Sequence, residues 1–215
     1  MIVVGRSVEG RAISAIHFPG PAPTILLHAA IHGDEPLGVH CLAELAAELR
    51  RVPTLPRAIC LVPVVNPDGL AAGRKQNARN VDLNRNYPAA SWRREHEPHY
   101  DPGEAPASEP ETRALMEVIA KSGATRLIAL HSPFRTVNYD GPARALAERM
   151  AAANGYGATH DIGYPTPGSF GAYYGVDLGL EVITLEIPPM SEADAWRENR
   201  GALRIACDLD PLAPV

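Results

Sequence analysis

Two apolar runs of strand length, joined by one helix, constrain this chain more than anything else in it. Thr24-Ile25-Leu26-Leu27-His28-Ala29-Ala30 is nearly continuous in apolar residues, and so is Ala58-Ile59-Cys60-Leu61-Val62-Pro63-Val64-Val65. Between them Leu37, Cys41, Leu45 and Leu49 recur at helical spacing, with Leu42 and Ala46 beside them. Pro36 suits the first helical turn, where a missing N–H costs nothing. Runs this apolar are strands covered on both faces. A strand, a helix and a second such strand form a unit whose strands pair in parallel through a right-handed crossover. The expectation is an α/β fold: a mixed, largely parallel, twisted sheet flanked by helices.

The rest of the chain extends that unit. Ile2-Val3-Val4 and Arg11 to Phe18 read as a strand pair, and Pro19-Gly20-Pro21 as a turn. Pro63 hints that the second apolar run lies at an edge or carries a bulge. Ser108 and Glu111 form a capping-box pattern before a helix with Leu115, Met116, Ile119 and Ala120 on one face, ended by Gly123. Thr125 to His131 and Glu181 to Ile187 are two further buried strands. Ala143 to Ala153 and Ser191 to Cys207 read as helices, and Asp161 to Gly175 as a loop with a short helix from Ser169. From Leu70 to about Pro110 there is little periodicity. A loop that long inside a folded unit is functional when it is not disordered, and this one is dense in Arg, Asn and Asp. With 215 residues and no break in composition, one domain over 1–215 is expected.

Function classes narrow quickly. A formal net charge of -5 gives no case for nucleic acid, and no apolar run reaches the length of a membrane span. Three well-separated cysteines in apolar stretches, Cys41, Cys60 and Cys207, favour free thiols. The first residues lack the pattern of a signal peptide. The expected location is the cytoplasm.

Polar residues cluster where the apolar strands stop. His32 and Glu35 follow the first strand, Asn66-Pro67-Asp68-Gly69 the second, and His131 ends the third. Ligands bind at that edge of open α/β sheets. An imidazole and a carboxylate three residues apart on a turn can converge on a metal and leave room for water, the layout of a catalytic zinc site. Taken alone, His-x-x-Glu is also a polar loop, and His131 alone reads first as a satisfied core histidine. Glu186 is different, because a carboxylate inside an apolar strand is costly unless it is paired or functional. Arg74, Asn84 and Arg85 share the long segment with Asp82 and Asn86, and can be either a solvated face or part of a site. His96, His99 and His160 read as solvated loop histidines rather than a second metal site.

His32-Gly33-Asp34-Glu35, Asn66-Pro67-Asp68-Gly69, Val81-Asp82-Leu83-Asn84-Arg85-Asn86-Tyr87-Pro88, His131 and Leu185-Glu186 stand in the order of the zinc carboxypeptidases, which the chain resembles from about Gly5 to Pro188. The resemblance implies an eight-stranded mixed sheet and one zinc ion per chain held by His32, Glu35 and His131, with Glu186 as general base. It matches Arg74 to the arginine that polarises the scissile carbonyl. It matches Asn84 and Arg85 to the pair that holds the substrate's carboxylate, and Tyr164 to the mobile tyrosine over the site. Phe170 stands at about the position that sets side-chain preference, where the digestive members carry an aliphatic or acidic residue. The implied activity is that of an exopeptidase or amidase on a small peptide, cutting the amide before a residue with a free carboxylate. The γ-D-glutamyl-meso-diaminopimelate bond of cell-wall peptides is the expected substrate, and Arg79 and Arg135 are candidates for a second substrate carboxylate. General carboxypeptidase activity, or N-acyl amino-acid deacylation of the desuccinylase and aspartoacylase kind, are the alternatives.

Overall fold

The alternation of apolar strand and amphipathic helix produces a sheet with a helical layer on each face. The computed structural model describes residues 1–212. The last three residues of the expected 1–215 domain lie outside the described residues. The strands are β1 (Ile2–Arg6), β2 (Ala12–Phe18), β3 (Thr24–Ala29), β4 (Ile59–Val62), β5 (Ala124–His131), β6 (Thr136–Asp140), β7 (Gly157–Thr159) and β8 (Glu181–Glu186). They form an eight-stranded sheet in the order β1-β2-β4-β3-β5-β8-β6-β7. At its centre β4, β3, β5 and β8 run parallel. β2 and β6 join this block antiparallel, on β4 and β8 respectively.

The pleat divides the core in two. Ile25, Leu27 and Ala29 of β3 face one apolar cluster, and Leu26 faces the other. The first cluster is closed by α1 (Leu37–Leu49), α4 (Arg144–Asn154) and α5 (Glu192–Ala206), which supply Leu42, Leu45, Met150 and Leu203. The second is closed by α3 (Pro110–Ser122), with Leu115 and Ile119, by Tyr87 and Phe170 from loops, and by Tyr174 from the short π-helical segment Ala172–Asp177. Each fully buried leucine or isoleucine contributes roughly 1.5–3 kcal/mol of transfer free energy, and that holds the sheet's polar edge in one geometry.

Several local readings change. Pro63 follows the last residue of β4, which lies inside the sheet between β2 and β3. A proline just past the paired residues removes no ladder hydrogen bond, so it marks the strand's end and not an edge. Asn66 to Gly69 is more than a turn: Asn66 caps the short helix α2 (Pro67–Ala72), its Oδ1 accepting from Gly69 N at 2.8 Å. α3 has no capping box. Glu109 is its N-cap and Pro110 its first residue, while Glu111 accepts from Val8 N at 3.0 Å. The strands β6 and β7 are absent from the sequence reading. Thr136 to Asp140 mixes polar and apolar residues, and its strand character comes from pairing with β8.

Candidate active site

Three adjacent parallel strands deliver the key side chains. β3, β5 and β8 are neighbours, and the register sets His131 opposite Glu186. The loop from Ala30 to Pro36 carries His32 and Glu35 off the end of β3. Backbone bonds pin it: Asn66 N donates to Ala30 O at 2.8 Å and Gly33 N to Lys75 O at 3.2 Å. Gly33 is required here, because a Cβ on it would lie 2.0 Å from the carbonyl carbon of Gly69.

His32 and His131 converge on Glu35. His32 Nδ1 lies 2.9 Å from Glu35 Oε1, and His131 Nδ1 lies 2.9 Å from Glu35 Oε2. Ser132 N also donates to Oε2, at 3.2 Å. One ligand atom from each of His32, Glu35 and His131 lies within 4.8 Å of the others. Two imidazoles and a carboxylate are the protein donors of a catalytic zinc site that keeps one position open. The far nitrogen of His32 lies 3.0 Å from Asp82 Oδ1. That carboxylate fixes the ring's orientation, as the outer partner of a metal-bound histidine does. Burial alone would lower the His32 pKa, but Asp82 and Glu35 outweigh it and raise the value to about 9. Burial pushes the Glu35 carboxyl up, and His131 and His32 more than reverse that, leaving it well below the usual carboxylate range.

Glu186 stands beside this cluster without belonging to it. It is 5% exposed, and its Oε2 has no hydrogen-bond partner. Burial raises its pKa, His131 opposes the rise and Glu35 adds to it. A carboxylate so placed is suited to accept a proton from a water on the metal side of the cavity.

The cavity at this edge has a volume of about 250 Å³, and Asn84, Arg85 and Tyr164 line it together with the three ligand candidates and Glu186. Asn84 Oδ1 accepts from Phe170 N at 2.9 Å. Arg85 is 4% exposed, and its Nη1 donates to Asn84 O at 2.7 Å. Its guanidinium lies 5.1 Å from the centre of the Tyr100 ring. Tyr164 sits between Tyr100 and Phe134, with ring centres 6.4 and 6.2 Å away. A second cavity of about 330 Å³ adjoins the first and shares Arg85, Tyr100 and Tyr164.

Two of the expected residues are not brought here. Arg74 turns away: its Nη1 donates to Asn80 Oδ1 at 3.0 Å, and it does not line the cavity. Its neighbour Lys75 does line it, with Nζ 3.0 Å from Asp82 Oδ2 and 4.1 Å from the centre of the Tyr100 ring. Phe170 is 2% exposed and packs its ring on His28, Tyr87 and Tyr174 at 4.6, 5.4 and 4.9 Å. It belongs to the core, and Gly171 lines the cavity in its place.

Arg79 and Arg135 are also elsewhere. Arg79 pairs with Glu109 at 3.6 Å, and Arg135 pairs with Glu198 at 3.2 Å while stacking on Tyr156. His160 is an exposed histidine on the loop after β7, as expected, and it also borders the cavity; Asn138, Asp140 and Thr184, which carry no local sequence signal, line it too. The signal for Lys75 was present in the cationic pair Arg74-Lys75. The signal for Asp140 required knowing that Thr136 to Asp140 is a strand. His28, wholly buried below the site, has no hydrogen-bond partner, and burial drives its pKa down to about 3, so it is a neutral core imidazole.

Among the described residues no helix is long and apolar enough to cross a membrane. The zinc carboxypeptidase family model matches residues 1–161. The chain is 37% identical to murein peptide amidase A of Escherichia coli (strain K12), over 89% of this chain and 82% of that protein. It is 31% identical to murein peptide amidase A of Vibrio campbellii, over 87% and 79%. The crystal structure of murein-tripeptide amidase MpaA from Escherichia coli O157 matches with a TM-score of 0.78 at 35% identity, covering 99% of this chain and 92% of that one. Carboxypeptidase A from Helicoverpa armigera shares the fold at 18% identity, with a TM-score of 0.82 over 96% of this chain and 67% of that one. This chain, with its His32, Glu35 and His131 cluster at the parallel sheet's edge, belongs to the zinc carboxypeptidases and is a metallopeptidase.

Proposed function

We propose that this protein hydrolyses the amide before a terminal residue with a free α-carboxylate, in the γ-D-glutamyl-meso-diaminopimelate linkage of murein peptides. The catalytic unit is one domain over 1–215, with one zinc ion held by His32, Glu35 and His131. The observation that carries this reading is one cavity holding a two-histidine, one-carboxylate donor set, an unpartnered Glu186 oxygen and the buried Arg85 cation. The murein peptide amidases among its relatives support the substrate half.

When bound, zinc supplies a Lewis acid that polarises the scissile carbonyl and brings the pKa of water towards neutrality. Every other part belongs to the chain. Glu186 accepts the proton of the attacking water and returns it to the leaving amine nitrogen. Arg85 binds the leaving residue's carboxylate by a charge-assisted pair, and Asn84 offers a side-chain NH₂ group that has no partner among the described residues. A chain interior has no such carboxylate, so these two residues restrict cleavage to an end. Lys75, not Arg74, is the cation facing the developing oxyanion, because Lys75 lines the cavity with His32 and Glu35. Asp82 holds both Lys75 and His32 and so fixes their mutual position. Tyr164 covers the leaving residue from the side shared with Tyr100.

The proposed location is the cytoplasm, and the free buried thiols Cys41, Cys60 and Cys207 are consistent with a reducing compartment. The test is mass spectrometry of products from zinc-loaded protein given L-Ala-γ-D-Glu-meso-diaminopimelate and ordinary L-peptides. Release of diaminopimelate supports the reading. An intact tripeptide beside trimmed L-peptides overturns the substrate half and leaves a general carboxypeptidase.

A further inference from the structure

We propose that Tyr100 is a positioning residue for Arg85: the face of its ring holds the buried guanidinium in the cavity without neutralising it. This rests on the reading that Arg85 receives the leaving residue's carboxylate.

The setting of Arg85 is unusual for a cation. It is 4% exposed, and a buried charge without a counter-charge is costly. Among the described residues no carboxylate forms an ion pair with it. Asp82 feels its charge, but both oxygens of that carboxylate are engaged elsewhere: Oδ1 with His32 and Asn84 N, Oδ2 with Lys75. One N–H of Arg85 goes to Asn84 O at 2.7 Å, and the others have no partner among the described residues. What does lie against the guanidinium is the ring of Tyr100, its centre 5.1 Å away. An aromatic face attracts a cation within about 6 Å of its centre, and most strongly where water is excluded.

The ring's lack of net charge is what suits it to this place. A carboxylate there would hold Arg85 more tightly, but an incoming substrate carboxylate would have to displace it. A ring leaves the whole cation and its free N–H groups for the ligand, which can then form a charge-assisted pair. Arg135 shows the other arrangement, away from the cavity. It lies 4.7 Å from the centre of the Tyr156 ring and is also paired with Glu198 at 3.2 Å.

The chain is tied so that this ring stays where the cations are. Tyr100 is half-buried, in a stretch between Arg85 and α3 that holds neither helix nor strand. The residues directly after the two cavity cations anchor its flanks. Gln76, after Lys75, donates from Nε2 to His99 O at 3.0 Å, and Asn86, after Arg85, donates from Nδ2 to Pro102 O at 2.7 Å. Asp82 N donates to Asp101 O at 2.8 Å. His99 has a φ of 73°, a backbone state uncommon outside glycine. Residues 99, 101 and 102 are thus each pinned to the segment that carries Lys75, Asp82 and Arg85, and Tyr100 is carried among them. Lys75 Nζ lies 4.1 Å from the same ring centre. The ring of Tyr164 lines both cavities too, yet no cation lies over it among the described residues.

The experiment measures KM and kcat of zinc-loaded protein for L-Ala-γ-D-Glu-meso-diaminopimelate, or for an ordinary L-peptide if only that is cut. Position 100 is varied as Tyr100→Phe and as Tyr100→monofluoro-, difluoro- and trifluorophenylalanine. Fluorine withdraws negative charge from the ring face and barely changes its size, so a ring that only packs gives a flat series. From Tyr100→Phe to the trifluoro member KM is expected to rise stepwise, by on the order of 10-fold in all, with kcat changing less than about threefold. Combined with Arg85→Ala, the KM series should be flat. A flat KM series where Arg85→Ala alone raises KM overturns the role of Tyr100 and leaves the carboxylate reading standing. A series that persists in Arg85→Ala puts the ring on the substrate itself and overturns it as well. If Arg85→Ala leaves KM unmoved, the carboxylate reading fails and the role of Tyr100 falls with it. Calorimetric affinity of the same peptide for zinc-loaded Glu186→Gln, carrying each ring in turn, reads the series without turnover, and equal affinities overturn the assignment.

Discussion

Lys75 and Arg74 are adjacent cations with opposite fates, and replacing each by methionine separates catalysis from loop structure. Lys75 Nζ lies 3.0 Å from Asp82 Oδ2, and its side chain is 23% exposed. An ammonium about 4 Å from an oxyanion, at the effective dielectric of a partly buried pair, contributes about 4 kcal/mol. Asp82 opposes that field, and residual solvent screens it. A net loss of about 2–3 kcal/mol on Lys75→Met is expected, which is roughly 30–150-fold in kcat. That lies near the cost of removing one oxyanion donor in other hydrolases. Arg74→Met removes a bond to Asn80 outside the cavity, and less than about a threefold change in kcat is expected for a loss of that kind. Lys75→Arg keeps the charge and should retain most of the activity. Because Lys75→Met also strips the wholly buried Asp82 of one cation, thermal unfolding is followed in parallel, and kcat is read well below both midpoints. Single-turnover kinetics on zinc-replete protein make the measurement. If Arg74→Met lost the activity and Lys75→Met kept it, the assignment of the cavity's cation to Lys75 would be wrong.

Four further outcomes are expected. His131→Ala removes one of three donors, so metal analysis after dialysis should find most of the zinc gone; full occupancy would refute the ligand assignment. Glu186→Gln should keep zinc and thermal stability yet lose roughly 10²–10⁴-fold in kcat, checked by metal content beside turnover. Arg85→Ala should raise KM by roughly 10–150-fold with a smaller change in kcat, the loss of one charge-assisted pair, and an unchanged KM would remove Arg85 from carboxylate binding. Gly33→Ala forces a Cβ to 2.0 Å from the backbone of Gly69. It should lower the melting midpoint, with about 1–3 kcal/mol or more of stability lost, and a wild-type melting curve would show that the loop has slack.

What was legible in the sequence follows from how each property is encoded. Strand and helix periodicity lies in consecutive residues, so β3, α1, β5, β8 and α5 could be read with near-correct ends. Parallel neighbours then bring strand C-termini to one edge, and that places His32, Glu35, His131 and Glu186 without any knowledge of loops. The site fails to be legible where a side chain's direction depends on a loop. Arg74 and Phe170 do not line the cavity, and their neighbours Lys75 and Gly171 do. Nothing periodic runs through either segment, so a residue's side of the chain is set by distant bonds: Gly33 N and Asn66 Nδ2 to Lys75 O in one case, Phe170 N to Asn84 Oδ1 in the other.

The same reasoning explains why Asp140 in the cavity wall was harder to see than the cluster at the strand ends. His32, Glu35, His131 and Glu186 stand at or just past strand ends, where a short spacing carries the signal. Asp140 stands inside a strand that only its pairing with β8 creates, and its side chain fits because two glycines some thirty residues later lack a Cβ. A carboxylate opposite glycines, four rungs down a ladder from Glu186, has no local sequence pattern. Its place in the cavity wall is set across the sheet, between β6 and the segment that carries Gly171.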